Sequence, residues 1–364
     1  LAWIASREDF LSGADWLNLL KLRASAGILN ADFLPGEEVW TYYAQQYNTA
    51  GGTYPFSSSF TSDFGRTYLG RLATTSPSHE KAYKYNVGID SRMFGGLSFS
   101  LDAYWQGSDI WVSAAGKYSA VVGKDAPYEN GGIVDSWGTE VGIDYVGRAG
   151  GFEYTLGGNF NFNRNKIVSQ LEEPRMYENL VRTGGSVGQI YGMKAIGFFK
   201  DEADIASSPV QNFSTVRPGD IKYEDVNDDK VIDANDLAAI GYSDRAPQIY
   251  YNFHLGAEWK GLGFYALFQG AARYSAMLST KSMYFPLVDN TTISQYYFDN
   301  RWTPSSQDAK FPRLTPTSGN NSLSSDYWRF DASYCRVKYI QLGYTLPKSI
   351  LKNTFIQNVR FYAA

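Results

Sequence analysis

The feature that most limits how this chain can fold is strict two-residue alternation, arranged in paired runs that are joined by tight glycine turns. In the first pair Tyr83, Tyr85, Val87 and Ile89 fall on one face, Gly95-Gly96 turns the chain, and Leu97, Phe99, Leu101, Ala103 and Trp105 fall on one face of the return run. The residues between them are Ser98, Ser100, Asp102, Tyr104 and Gln106. A second pair carries Val141, Ile143 and Tyr145 to Gly150-Gly151, and Phe152, Tyr154, Leu156, Phe160 and Phe162 back, with Asn159, Asn161 and Asn163 interleaved. A third runs Ile249, Tyr251, Phe253, Leu255 and Trp259 to Lys260-Gly261, then Leu262, Phe264, Ala266 and Phe268. Successive side chains of a strand point to opposite faces, so each pair is an antiparallel hairpin with one apolar side and one polar side.

A half-buried sheet of a soluble sandwich alternates in the same way. Two features separate the readings. The runs are about 9 to 13 residues long, the length a tilted strand needs to cross a bilayer, whereas soluble strands are nearer 5 or 6. The tight turns also alternate with connections such as 30 to 80, 168 to 247 and 272 to 330, rich in Gly, Ser, Asn, Pro and Tyr. That is the asymmetry of outer-membrane barrels, short turns on one side and long extracellular loops on the other, and it is foreign to a compact soluble domain. Composition agrees: aromatics are 16% and charged residues 19%, yet mean hydropathy is −0.33, as expected when every second residue of a lipid-facing strand is polar. Tyr83, Trp105, Trp137, Tyr145, Trp259 and Tyr344 are expected near strand ends, as interfacial girdles.

Other classes find little support. No run approaches the roughly 20 apolar residues of a membrane helix. A net charge of −4 without a basic block gives no footprint for nucleic acid. The one cysteine, Cys335, has no internal partner, and His79 and His254 are far apart in sequence. Gly184-Gly-Ser-Val-Gly188 reads as a flexible loop and not as a phosphate cradle. Paired carboxylates such as Glu172 and Glu173, or Asp201, Glu202 and Asp204, read as solvated charge, so the chain is expected not to be an enzyme. The first residues have neither the basic start nor the apolar core of a signal peptide, and the last stop inside an alternating run. Both ends of the full protein are expected to lie outside this chain.

Several segments, in order, resemble the SusC/RagA family of TonB-dependent outer-membrane transporters. Leu20-Lys-Leu-Arg-Ala-Ser-Ala-Gly27 with Asn30 is similar to its LKLRxSxG strand, and Leu72-Ala-Thr-Thr-Ser-Pro77 with Glu80-Lys81 and Tyr85-Asn-Val-Gly-Ile-Asp90 to its LxxxNPxLxWE and YNxGxD segment. Asn130-Gly-Gly-Ile133 and Gly138-Thr-Glu140 resemble its NxGxxxNxGxE turn, with Ser136-Trp137 departing from the second Asn. Pro218-Gly-Asp-Ile-Lys-Tyr-Glu-Asp225, Asn300-Arg-Trp-Thr-Pro304 and Leu342-Gly-Tyr-Thr-Leu-Pro347 complete the series. The resemblance implies an all-β fold, with residues 1–364 forming part of one antiparallel transmembrane barrel of 22 strands. The plug and the TonB-contacting segment would lie upstream and the final strands downstream. It also implies active import of oligosaccharides or oligopeptides, a SusD-like surface lipoprotein as lid, TonB as the energy-coupling partner and a place in the bacterial outer membrane.

One local pattern carries defined chemistry. Numbered as a calcium loop, Asp225 to Asp236 places oxygen donors at positions 1, 3, 5, 7, 9 and 12: the side chains of Asp225, Asn227 and Asp229, the Val231 carbonyl, then Asp233 and Asp236. Lys230 stands where the sharp turn favours glycine, and Asp236 replaces the bidentate Glu; aspartate there resembles dockerin-type loops. Residues 225–236 are therefore expected to hold a structural Ca²⁺ within an extracellular loop; a solvated acidic turn is the plainer alternative. The aromatics Trp40, Tyr42, Tyr43, Tyr284, Tyr296, Tyr297 and Trp302 offer flat faces for sugar rings or a lid, and loop-on-loop packing accounts for them equally well. Two further readings stay open: a passive porin, and a secreted β-rich carbohydrate-binding or hydrolytic domain with a structural calcium.

Overall fold

The computed structural model describes residues 1–31, 44–48, 53–55, 63–65, 67–76, 78–280, 284, 286–287, 291–317, 319–352 and 355–364. Ten strands form a sheet in which each pairs with its sequence neighbours: β1 (Ala2–Ile4), β2 (Leu17–Ala31), β3 (Glu80–Met93), β4 (Leu97–Ser113), β5 (Tyr128–Ala149), β6 (Phe152–Ser169), β7 (Ile249–Trp259), β8 (Leu262–Ala272), β9 (Tyr334–Thr345) and β10 (Arg360–Ala363). The hairpins stand where the glycine pairs place them. Gly150 and Gly151 have φ of 57° and 80°, and Lys260 and Gly261 have 49° and 86°, the doubly left-handed turn whose twist matches its flanking strands. No described helix is long and apolar enough to cross a membrane.

Several strands outrun the expected 9 to 13 residues, β5 reaching 22 and β6 18. About 9 to 11 tilted residues span a bilayer, so a strand of this length has turns of ladder to spare beyond it. Two corrections follow. Trp105 and Trp137 lie inside β4 and β5, well away from their ends. The stretch Asn130 to Glu140 is continuous strand and not a turn; a Cβ on Gly132 would come within 2.6 Å of Val112 and 2.7 Å of Ile110, so its glycine permits close approach to β4.

The chain divides into two compact units, residues 1–142, 163–174 and 182–185, and residues 143–162, 175–181 and 186–364. In the first, the register joins like to like. Ile89 faces Leu101, Val87 faces Ala103 and Tyr85 faces Trp105, while Leu22 and Ala24 of β2 face Ile89 and Val87. Among the described residues nothing covers this apolar side: Val87 is 59% exposed and Tyr85 52%. On the other side Arg23 of β2 grips Asp90 of β3 through Nε (2.8 Å) and Nη2 (3.0 Å), and Asp102 of β4 through Nη1 (3.0 Å) and Nη2 (2.8 Å). Arg23 and Asp102 are both register partners of Gly88. A Cβ there would sit 2.6 Å from the Asp102 carboxylate and 2.9 Å from the Arg23 guanidinium. Absence of a side chain at residue 88 is what lets the pair close across the middle strand.

The second unit repeats both themes. Leu255 faces Leu156 and Ala266, and Phe253 stacks on Phe268 with ring centroids 4.5 Å apart. On the opposite side Asn159 hydrogen-bonds its partner Asn252 at 3.3 Å, and His254 Nε2 lies 3.4 Å from Asp144 across Gly157. The expected faces therefore hold, with Phe99, Leu101, Ile143, Leu156, Phe253 and Phe264 on the apolar side and Ser100, Asp102, Asp144, Thr155, Asn161 and Asn252 on the polar side. The densest core lies elsewhere, in the connections: Met193, Ile221, Tyr223, Ile232, Tyr297, Phe311 and Trp328 pack as one buried cluster.

The two-sided register generates a test. Leu101→Arg should cost about 2 to 4 kcal/mol if residue 101 lies near a bilayer midplane, and Ser100→Arg much less. Equal costs in unfolding of the full-length protein from lipid would contradict the assignment of faces.

Candidate functional site

The two longest connections run from 170 to 248 between β6 and β7 and from 273 to 333 between β8 and β9, and residues 186–248 of the first meet the second within the second unit. Their pivot is Pro218-Gly-Asp220. Gly219 adopts φ of +88°, and a Cβ on it would fall 2.3 Å from the Trp302 ring, so the turn both needs the left-handed conformation and carries an indole against its backbone. This turn sends the Asp220 carboxylate inward, where it is fully buried. Arg313 pairs with it, Nε 2.7 Å from Oδ1 and Nη2 donating a hydrogen bond to Oδ2 at 3.1 Å. The Arg217 amide and the Asn321 side-chain amide each donate to the same carboxylate at 2.8 Å.

A neutral network extends from this pair. Gln211 donates to the Ile221 carbonyl (3.0 Å) and accepts from the Tyr223 amide (2.7 Å); Asn320 donates to the Ile221 carbonyl (2.8 Å); Asn321 accepts from the Ile221 amide (2.9 Å). Tyr223 donates to the Asn320 carbonyl and Trp328 to that of Asn321, both at 2.8 Å. Burial pushes the Tyr223 and Tyr297 hydroxyls far above the ordinary tyrosine range. A charge this deep is tolerated only when paired and fully hydrogen-bonded. Gln211, Arg313, Asn320 and Asn321 carry no signal in sequence alone, because their partners are about 10 to 110 residues away along the chain.

The acidic loop lies in the same unit. Asp225 accepts from the amides of Asp229 (3.2 Å) and Lys230 (2.9 Å), and Asp229 accepts from that of Val231 (2.9 Å). Asp236 is fully buried and accepts from the amides of Val226 (2.7 Å) and Asp233 (2.8 Å), closing the loop's ends with a capping box. Lys230 takes φ of +71° despite its side chain, and its ammonium turns to solvent and pairs with Asp228 at 2.6 Å. Tyr177 reaches Asp229 at 3.4 Å, and Asn179 donates to the carbonyls of Asn235 and Leu237. The donor set of Asp225, Asn227, Asp229, Val231, Asp233 and Asp236 is all oxygen and suits a hard cation. Among the described residues, no three Asp, Glu, His or Cys side chains are gathered round a common point.

Two other expectations are adjusted. Tyr297 and Trp302 are 1% and 6% exposed, so both serve packing; Tyr284 stands against Trp328 and donates to the Ser322 carbonyl, while Tyr296 is half exposed. Trp40, Tyr42, Tyr43 and Pro77 lie outside the described residues. In the first unit the segment read as a flexible loop is pinned, Gly184 and Gly185 exchanging backbone hydrogen bonds with Ile167. Beside it Glu172 is not solvated charge. Burial alone would raise its pKa, but donors from the Arg182 and Thr183 amides, the Thr183 hydroxyl and Gln170 hold it down at about 2.

An antiparallel meander with one apolar face, and long connections packed into their own core, defines the barrel class of outer-membrane proteins. No family model matches the chain. It is 26% identical to TonB-dependent receptor P39 of Formosa agariphila, across 100% of this chain and 38% of that protein, and 23% identical to TonB-dependent receptor P26 of the same organism, across 99% and 36%. It is 24% identical to TonB-dependent receptor SusC of Bacteroides thetaiotaomicron, across 95% and 33%. The RagAB peptide transporter structure superposes with a TM-score of 0.71 at 19% identity, over 99% of this chain and 38% of that one. The chain is thus SusC/RagA-like, all-β, with the fold of that transporter's barrel, and it spans a little over a third of the length of the proteins it resembles.

The buried pair yields a prediction. Arg313→Ala strands the Asp220 carboxylate and should destabilise the connection core by about 3 to 5 kcal/mol, whereas Arg313→Ala combined with Asp220→Asn should recover part of that loss. Limited proteolysis and thermal unfolding in detergent would read it; a double variant no better than the single one would contradict the burial argument.

Proposed function

We propose that the chain is part of a single barrel domain in a TonB-dependent outer-membrane importer of oligosaccharides or oligopeptides, working with a SusD-like surface lipoprotein. The observation that carries this reading is an apolar sheet face that no described residue covers, on a sheet whose other face is charged and hydrogen-bonded. In water such a face would demand a partner layer; in a bilayer it needs none. The TonB-dependent receptors among its relatives support the energy coupling. The two long connections with their own core support a rigid extracellular platform on which a lid could seat. The test uses the full-length gene: uptake of labelled oligosaccharide and oligopeptide pools, with and without TonB. Uptake should fall at least tenfold without TonB. Unchanged uptake would favour the passive porin, and recovery of the protein without detergent would favour the secreted domain.

The acidic loop is proposed to hold one structural Ca²⁺ through Asp225, Asn227, Asp229, the Val231 carbonyl, Asp233 and Asp236. Support comes from the spacing of six oxygen donors and from the left-handed turn that Lys230 adopts at the sixth position. Bound there, calcium would neutralise carboxylates that otherwise repel, making a fixed corner in a connection with much ordering entropy to overcome. Chelator, or Asp225→Ala with Asp229→Ala, should speed proteolysis between residues 215 and 245 and leave the barrel folded. Lys230→Gly should tighten binding by relieving the strained φ. If elemental analysis finds no calcium and chelator leaves the cleavage pattern unchanged, the loop is solvated charge.

A further inference from the structure

The first unit contains a polar cavity of about 360 Å³ that the transport reading does not use. It is lined by Thr75, Ser76, Ser78, Lys81, Asp109, Glu129 and Asn130. Lys81 and Asp109 are register partners on β3 and β4, and among the described residues neither makes an ion pair. Glu129 alone of these charges is engaged, by Lys117. Among the described residues the lining thus presents an ammonium and a carboxylate without ion-pair partners, with hydroxyls beside them. A ligand that satisfies all three must donate and accept at neighbouring atoms, which is the chemistry of vicinal sugar hydroxyls.

Its height on the sheet says where such a sugar would come from. Lys81 shares strand parity with Tyr83, Tyr85, Val87 and Ile89, and the register with β4 is unbroken from Lys81 to Met93. Lys81 and Asp109 therefore stand at the end of the apolar face, not on the polar face. From the turn after Met93 to the exposed Tyr85–Trp105 ring pair, with centroids 5.7 Å apart, the strand covers about 26 Å, or roughly 20 Å of height at a ~40° tilt. That is close to an apolar band with an aromatic pair at its upper rim. Lys81 and Asp109 stand about 13 Å further along the strand, roughly 10 Å higher, at or just beyond a headgroup layer of roughly 5 to 8 Å. The neighbouring Lys124 ammonium over the Tyr68 ring and Arg71 over Tyr128 keep the surroundings polar and cationic.

We propose that this cavity binds the sugar headgroup of an outer-leaflet glycolipid, Asp109 accepting from its hydroxyls and Lys81 donating to them. The proposal rests on the outer-membrane placement above. The test uses the full-length protein expressed in a Gram-negative outer membrane and extracted in mild detergent. After delipidation it is titrated with rough-type lipooligosaccharide, with the oligosaccharide cleaved from it, and with phosphatidylethanolamine. Lipooligosaccharide should bind best, and Lys81→Ala with Asp109→Ala should weaken it at least tenfold. Lys81→Gln with Asp109→Asn should weaken it in the same direction while keeping the volume, and heat-modifiable migration in gels reports that each variant is folded. Equal affinity of native and variant proteins would overturn the proposal, as would phosphatidylethanolamine binding equally well. Cleaved oligosaccharide binding as tightly as the intact glycolipid would assign the cavity to soluble sugar and overturn the lipid source. Membrane fractionation is read separately, and a protein absent from the outer membrane would overturn the placement itself.

Discussion

Every other feature of the structure depends on how the backbone amides and carbonyls are satisfied. A strand whose apolar side faces hydrocarbon has no water to accept its N–H groups, and each unsatisfied group would cost several kcal/mol. The ladder supplies the partners: β2, β3 and β4 pair over 13 or more consecutive residues with one irregularity, at Leu17/Leu19. Once the ladder is obligatory, the side chains are free to be sorted by solvent alone. Leucine and phenylalanine can then remain uncovered on one side while aspartate and arginine occupy the other.

The polar side adds a second, independent specification of register. Arg23 reaches Asp102 only because Gly88 lies between them, and His254 reaches Asp144 only because Gly157 does. A one-residue slip would carry the apolar residues to the wrong face and put a side chain under each of these two pairs at once. Glycine weakens a strand by itself. At Gly88 the weakness is offset by the charge-assisted Arg23–Asp102 hydrogen bonds, which could not otherwise span two inter-strand spacings of about 4.8 Å.

Legibility in the sequence follows the range of the forces. Alternation and turn chemistry act over a few residues, so the hairpins at Gly150-Gly151 and Lys260-Gly261 and the sorting of Leu101 from Ser100 could be read directly. Strand length could not, because a ladder continues past the bilayer into polar sequence such as Asn130-Gly-Gly, where alternation no longer marks it. In β9 the pattern changes phase: Val337 and Ile340 share the apolar face although they differ in parity, because Lys338 is an extra residue in a bulge opposite Leu267 and Phe268. The candidate site was legible in part. The acidic loop declared itself by spacing, whereas Gln211, Arg313 and Asn320 are polar residues that become core only when two connections meet.

The motifs that carry the family resemblance in the connections turn out to be packing motifs. Asp220, Tyr223 and Trp302 are buried, and the Pro218-Gly-Asp turn exists to place a carboxylate under Arg313 and an indole over Gly219. Connections of this length would otherwise pay an ordering entropy of about 1 to 2 kcal/mol per residue with little return. A buried cluster containing Trp328, Tyr297 and Phe311 supplies that return locally, at about 25 cal/mol per Å² of apolar surface removed from water. The hydrophobic effect thus works in two places under different rules. In the connections it gathers aromatics inward against water; on the strands the same residue types stay outside, as the proposed apolar surroundings would allow. On the proposed membrane placement, a chain that obeys both rules within 364 residues meets water and hydrocarbon at once.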